Sequence, residues 1–457
     1  MGGNLEFKTV EGLRDFPRIL IINCEPLNSK TATGLTMMSL FREWPQENLA
    51  QLYTHPVIPD PAFCVRTRRI SIRPLNISQS IKAWFSDQPA GQPNKWPQPP
   101  AIFKVSECPG IQPGFKYRLQ DKIKARLKQV AFLRTYQVSD ELLSWIRGFQ
   151  PDIIYSMLYD IDIMSMVINL SQRFRLPVLP HFMDDWPATL KQRNVFYRLL
   201  EPALSNKLKE VLKRSPLGLV IGDDMAAAFE KRYQRVMIPF MHCIEPEIFQ
   251  QKNHSFGDSK TVRFIYIGGL HLNRWESLLE IGKAMSELAI EGLQLECLIY
   301  THPHDVNKYK KLLTIPPVMK IKGSLEHDEV YRAQLSADCL IHVESFNAWD
   351  ISFAQLSVSS KLPEYLAAGR PILAYGPQEV ASIRYIDKIG CGLIVGQKDP
   401  KQLKNIIRAA VIAPERRNQL GDLALAAAKS RHEATKQREE LRKTILQACQ
   451  IKFPAYE

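Results

Sequence analysis

Two series of short apolar runs, each run separated from the next by a stretch of helical length, constrain this chain more than any other feature. The first series comprises residues 18–24 (RILIINC), 152–156, 176–181, 217–222 and 235–239. The second comprises residues 262–267, 295–300, 318–321, 339–343, 371–375 and 392–395. The runs are rich in Ile, Val and Leu and bounded by Gly, Pro and polar residues, which is the pattern of strands buried on both faces. Helical patterns fill the gaps, notably residues 191–212 and 225–233. A strand followed by a helix, repeated, builds a parallel sheet covered on both faces. The chain is therefore predicted to be α/β, with two Rossmann-like doubly wound domains and a seam near residues 239–253.

At 457 residues the chain has room for two such domains, since a domain takes roughly 100–200 residues. The predicted division is an N-terminal domain over residues 1–238, a C-terminal domain over 239–430, and a terminal helical segment, 431–457, packing back on the first domain. From residue 414 onward the sequence reads as one long polar helix. Within the first domain, residues 59–115 carry Pro89, Pro93, Pro97, Pro99 and Pro100. Prolines so dense exclude a regular helix or a central strand, so the segment reads as an irregular excursion. A basic helical stretch follows at residues 116–128, and it reads as a solvated face or as a contact with an anionic membrane.

The charge balance narrows the partners. Sixty Lys and Arg oppose 47 Asp and Glu, a net charge of +13. An excess of this size favours phosphorylated small molecules, polyanions or an anionic membrane surface, and it also suits a merely soluble basic protein. The positive charge is spread out and no nucleic-acid-binding signature is present, so nucleic acid is not an expected partner. Cys24, Cys64, Cys108, Cys243, Cys297, Cys339, Cys391 and Cys449 are scattered, with no Cys-x-x-Cys pair. Reduced cysteines of a cytoplasmic protein fit that distribution better than a disulfide or zinc framework. Residues 1–12 hold no apolar signal region, and no run approaches the roughly 20 apolar residues of a membrane span. The expected location is cytoplasmic, with peripheral attachment to the inner face of a membrane left open.

The segment most informative about chemistry is residues 357–375, SVSSKLPEYLAAGRPILAY. Ser360 suits a helix N-cap, with Lys361 opening the helix and Pro363 in its first turn, where a missing N–H does least harm. Gly369 suits the left-handed residue that ends a helix, with Pro371 just beyond. A helix N-terminus offers free N–H groups and partial positive charge, and Lys361 adds an ammonium there: an anion site. Glu364 lies four residues from Ser360 rather than three, so it completes no capping box and is left to accept ligand hydroxyls. An ordinary charged surface helix fits the same spacing.

A second cluster lies in residues 176–187 (LPVLPHFMDDWP), where His181, Asp184 and Asp185 fall at the carboxyl end of a predicted strand. Ligands of open α/β sheets bind at strand ends. The same acids also read as caps for the next helix. His302, His304 and Asp305 read as a polar loop after a strand rather than as metal ligands, and no metal site is expected.

The 357–375 segment resembles the signature of the retaining glycosyltransferases of family four, or group one. The resemblance implies the GT-B fold, two Rossmann-like domains with a cleft between them. It places the ribose-holding Glu at Glu364 and the donor diphosphate at Ser359, Ser360 and Lys361. The second Glu of the usual signature, eight positions earlier, is Leu356 here. Residues 264–279 (FIYIGGLHLNRWESLL) resemble the group's strand, Gly-rich turn and phosphate-binding base. Gly268 and Gly269 then form the turn, and Arg274 stands where a Lys is usual. Gly269 occupies the place of a companion Arg. Residues 321–343 resemble the nucleobase segment, with Leu325 on its loop, and residues 238–249 resemble the domain linker, with Glu245 where Asp is common. Gly34, in the loop 28–35, stands where the group has a Gly-rich loop facing the donor phosphates. His181, Asp184 and Asp185 stand where the group places residues near the acceptor.

The resemblance implies transfer of a sugar from a UDP- or GDP-sugar to an acceptor hydroxyl, with retention, without metal and with no cofactor beyond the donor. Arg274, Lys361, Asp184, Asp185 and His181 would act on the reacting groups. A glycan or lipid-linked acceptor is implied. Two rival readings share the architecture: a sugar-nucleotide epimerase, which needs no acceptor, and a non-catalytic binding or scaffold protein.

Overall fold

In the computed structural model the run RILIINC forms strand β1 (Ile19–Asn23), with all five residues buried. The structure describes residues 15–29, 31–70, 138–159, 161–193, 195–250 and 260–450. Around β1 lie β2 (Leu49–Tyr53), β3 (Arg66–Arg69), β4 (Ile153–Ser156), β5 (Val178–Phe182), β6 (Gly218–Val220) and β7 (Met237–Pro239). Their order is β3-β2-β1-β4-β5-β6-β7 and every pair is parallel. The second sheet contains β8 (Val262–Ile267), β9 (Leu295–Tyr300), β10 (Met319–Lys322), β11 (Cys339–Val343), β12 (Ile372–Tyr375) and β13 (Gly392–Val395). It runs β10-β9-β8-β11-β12-β13, again parallel throughout.

Both orders reverse direction beside their first strand, at β1/β4 and at β8/β11. Crossovers leave a crevice at the carboxyl ends of the strands on either side of such a point. These two α/β sheets, with helices on their faces, are two Rossmann-like domains.

Two strands of the first sheet lie in segments that the apolar pattern passes over. In β2 the polar Gln51 interrupts the run, yet it is wholly buried, and its side-chain oxygen accepts the Leu27 N–H at 3.0 Å. Strand β3, RTRR, is an edge strand with no apolar residue. Of the predicted excursion over residues 59–115, the part after residue 70 lies outside the described residues, as does the basic stretch 116–128.

The predicted single helix after residue 414 is two helices, Pro414–Arg431 and Ala434–Gln450. The break comes from the chain crossing back between domains. Ile244 in the linker donates to the His432 carbonyl, and Ala434 donates to that of Ile244, at 2.7 and 2.9 Å. A helix cannot keep its own ladder where its backbone groups are taken up this way. Glu433 restarts it by accepting the Thr435 and Lys436 N–H groups. The last helix then buries Ala434, Leu441, Ile445 and Ala448 among Ile19, Ile21, Met37 and Phe41 of the N-terminal domain. Arg438 of that helix grips linker residue Glu245 and also Glu43, while Arg42 holds Glu245 at 2.6 Å.

Candidate functional site

The loop that follows β8 is held open by its neighbours. The Asp305 carboxylate accepts the Leu270 N–H at 2.9 Å and the Thr301 hydroxyl at 3.1 Å, and the Tyr266 hydroxyl donates to the Gly269 carbonyl at 2.8 Å. Asp305 is thereby a loop brace. Gly268 has φ +154°, and a Cβ there would lie 1.7 Å from Lys361 Nζ. Leu272 and Asn273 are both left-handed, and the Asn273 side chain donates to Asp350 at 2.8 Å. This tight turn delivers Arg274 to the first position of helix Arg274–Ile290.

Arg274 points back at the carboxyl end of β11. Its Nε and Nη2 donate to Glu344 Oε2 at 3.1 and 3.0 Å, and Nη2 also reaches Oε1 at 3.3 Å. Its Nη1 lies 2.9 Å from His271 Nε2. A guanidinium only donates, so His271 Nε2 is the acceptor and the ring carries its proton on Nδ1. Burial and the adjacent cations Arg274 and Lys361 push His271 down to about 4, which keeps it neutral. Burial alone would raise the Glu344 carboxyl, but Arg274 and the nearby His342, 3.3 Å away, outweigh it and hold Glu344 at about 2.

Lys361 enters from the other side. The helix containing Glu364 is Leu362–Ala367, six residues long, and its N-cap is Lys361 in a helical conformation rather than Ser360. Gly369 ends it with φ +62°. The Lys361 ammonium sits in the space left by the absent Gly268 side chain, 5.5 Å from the Tyr266 ring centroid. It makes no hydrogen bond and no ion pair with any described residue. Burial, reinforced by Arg274, brings its pKa down to about 8. A desolvated cation held in a glycine turn beside a second cation is an anion-binding arrangement.

The remaining C-terminal candidates spread around this pair. Glu364 accepts from Gln334 Nε2 at 3.1 Å and lies 3.6 Å from His242 Nε2 of the linker. The Ser359 N–H donates to the Ser382 hydroxyl at 2.9 Å, so that N–H is spent within the fold, and Ser360 lies in the turn before the helix. Leu325 is half-buried on the loop after β10, the edge strand. Leu356 packs on the main apolar core.

The four N-terminal candidates have four different fates. Asp184, at the end of β5, lies beside Ser357 and feels the Arg274 charge, and burial raises its pKa above the usual carboxylate value. It is brought to the cation pair. Asp185 is committed elsewhere: Arg232 clamps it at 2.6 and 2.8 Å, and its Oδ1 caps helix Trp186–Arg193 by accepting the Ala188 N–H at 3.4 Å. His181 is wholly buried in the sheet, its Nδ1 2.6 Å from the Tyr155 hydroxyl, and burial pulls it down to about 3. It is a neutral core histidine, not a cleft residue, because the pleat sends it to the face covered by the last helix. Gly34 lies in the first turn of helix Ala32–Phe41, where a Cβ would meet the Asn28 carbonyl at 2.2 Å. It lets the helix close on its own loop and is not placed against the cations by any contact.

Glu344, His271 and His242 belong to this cluster and were not picked out in the sequence. Glu344 is the residue immediately after β11, so the strand-end rule that marked Asp184 applies to it equally. A separate groove of about 430 Å³ on the domain seam is lined by Asp223, Asp224, Val358, Arg384, Tyr385 and Lys388. Its cations are already paired, Arg384 with Asp224 and Lys388 with Asp223, so it offers no unmatched positive charge.

No family model matches the chain, and no characterised protein matches it by sequence. Solved structures do match it in three dimensions. Anabaena HepE in complex with UDP has 11% identity and TM-score 0.58, covering 94% of this chain and 100% of that one. A UDP-forming α,α-trehalose-phosphate synthase from Burkholderia xenovorans, in complex with glucose-6-phosphate, has 9% identity, TM-score 0.58 and the same coverage. A glycosyltransferase from Rickettsia africae has 10% identity and TM-score 0.53, covering 94% and 99%. At such identities the likeness carries the fold: the chain has the two-domain GT-B architecture of these glycosyltransferase structures.

Proposed function

We propose that the chain is a glycosyltransferase that moves a sugar from a UDP- or GDP-sugar to a hydroxyl of a glycan or lipid-linked acceptor. The observation that carries this reading is the unpaired Lys361 ammonium, seated over Gly268 beside Arg274 on the face that meets Asp184. In the transfer, the bond from the anomeric carbon to the diphosphate oxygen breaks and the diphosphate leaves with the electron pair. The acceptor oxygen bonds to that carbon, and its proton passes to the departing phosphate. Charge grows on the diphosphate as it leaves, and Lys361, with Arg274 beside it, would stabilise it there. A preorganised donor of this kind contributes on the order of 3 kcal/mol. Glu364 would hold the ribose, and Asp184 would orient the acceptor or the donor sugar. Retention of configuration and independence from metal are what the family resemblance implies, and they are part of the proposal.

One observation favours a second reading. Glu344 already occupies two nitrogens of Arg274, and Gly269 stands where a companion Arg would be, so the site holds less net positive charge than the family pattern. A non-catalytic binding protein would tolerate that.

Thermal unfolding with UDP-, GDP- and ADP-sugars, in EDTA and again in magnesium, separates the two. A ligand at about 100 times its dissociation constant adds about 2.7 kcal/mol. One nucleotide class should stabilise the wild type and act weakly on Lys361→Ala, and release of nucleoside diphosphate with acceptor should follow. No stabilisation under either condition would sink the transferase reading. Binding without any turnover would favour the second.

A further inference from the structure

Helix Ala348–Ala354 follows the Glu344 strand end and carries two aromatic rings that belong to none of the three apolar cores. Trp349 and Phe353, four residues apart, stack on each other with centroids 5.8 Å apart and planes at 18°. Trp349 is 38% exposed. A stacked pair that packs into no core keeps ring surface open to a ligand. The helix is not free to move away: Asp350, between the two rings, holds Asn273, the residue that precedes Arg274. The helix also packs against Trp186–Arg193, the helix that follows Asp184 and Asp185. The helix that carries the stack is therefore anchored to both halves of the candidate site.

We propose that the Trp349–Phe353 stack is a platform for a neutral sugar ring of the acceptor. This rests on the transferase reading and adds a subsite to it. Phe353 covers one face of the indole. A pyranose ring offers an apolar C–H face to such a surface and hydroxyls at its edge. The exposed residues Asn347 and Gln355 lie at the two ends of the helix, and Asn347, whose Oδ1 caps the helix by accepting the Trp349 N–H at 2.9 Å, keeps its NH2 group to donate to those hydroxyls. The charge pattern argues against a membrane as the occupant. In a chain of net charge +13, residues 347–360 (NAWDISFAQLSVSS) contain no Lys or Arg and one Asp. Binding to an anionic bilayer draws on unmatched cations beside the inserted rings; the helix itself carries none, and Arg384, which donates to the Gln355 carbonyl at 3.1 Å, is already paired with Asp224.

The test uses the full chain with Trp349→Ala and Trp349→Tyr. Tagged protein with UDP present is applied to an array of neutral di- and trisaccharides, and separately to vesicles of phosphatidylglycerol and phosphatidylethanolamine. The wild type should retain a subset of the sugars. Trp349→Ala should weaken that binding about tenfold, the size expected of one lost stacking contact with its buried area. Trp349→Tyr, which keeps a stacking ring, should restore most of it, and the thermal shift with UDP should be the same in all three. Sugar binding that ignores Trp349→Ala, or no sugar retained at all, overturns the proposal. So does vesicle binding that depends on Trp349, which would make the stack a membrane contact. Loss of the UDP shift in the wild type would instead count against the transferase reading itself.

Discussion

Arg274 holds Glu344 with two of its nitrogens and turns the third to His271, which fixes the direction of its charge and pairs it with a buried carboxylate. The pair is buried, with side-chain exposures of 14% and 4%. Removing one partner of such a pair strands the other, at a cost of about 3–5 kcal/mol. Glu344→Ala should lose that much in urea unfolding, and Glu344→Gln somewhat less because an amide oxygen still accepts. The pH dependence has a defined sign. Glu344 is held at about 2 in the fold, below its ordinary 4.5. Its contribution is complete above the ordinary value and drains away as pH falls from 4.5 toward 2. The stability gap between wild type and Glu344→Gln should narrow over that window. A gap independent of pH there would show that the Glu344 charge is not what stabilises Arg274.

Lys361 predicts the opposite trade. Its folded value, about 8, lies below its ordinary 10.5, so the charged form is the one the fold disfavours. That cost is full below about 8 and fades as pH rises toward 10.5, and the shift corresponds to about 3 kcal/mol. Lys361→Met should therefore be more stable than the wild type at neutral pH while binding nucleoside diphosphates more weakly. A stabilising change that costs function is the usual mark of a strained site. For the wild type, diphosphate affinity should fall as pH rises through about 8, read by calorimetric titration on either side of that value. Affinity that stays flat would mean the ammonium does not meet the ligand.

Most of the architecture could be read from the chain because parallel strands buried on both faces are written as continuous apolar runs. Eleven runs mark eleven of the thirteen strands among the described residues; β2, broken by the buried Gln51, whose oxygen accepts the Leu27 N–H, and the all-polar edge strand β3 escape that rule. The helix break at His432–Glu433 could not be read, because its cause is a partner, Ile244, far away in sequence. The site was legible where local grammar sets it, as with the glycine turn at Gly268 and Lys361. It was not legible where pairing decides. Asp184 and Asp185 are adjacent and identical in type, and only the position of Arg232 distinguishes the acid at the cations from the acid in a cap.

That distinction can be tested on the two acids directly. Asp185→Asn keeps a capping oxygen but loses its charge against Arg232, whose side chain is 35% exposed, so solvent already screens part of the pair. A loss of about 1 kcal/mol is expected, with turnover close to wild type. Asp184→Asn should leave stability unchanged or slightly improved, since burial disfavours its charge, and should lower kcat by about a hundredfold or more. Paired measurements of unfolding and turnover on both variants decide the matter. If Asp185→Asn is the one that abolishes turnover, the roles assigned here are reversed.

Gly268 offers the sharpest test of the anion niche, because a single methyl group must displace the ammonium. A Cβ at this position would lie 1.7 Å from Lys361 Nζ and 2.7 Å from Cε, and φ +154° is unfavourable for any other residue. Gly268→Ala should cost about 1–3 kcal/mol from backbone strain. It should also lose diphosphate binding as fully as Lys361→Ala does. The double variant separates the two effects: if the methyl acts by evicting the ammonium, Gly268→Ala with Lys361→Ala should bind no worse than either alone. Additive losses in the double variant would mean that the turn contributes to binding through its own backbone, independently of Lys361.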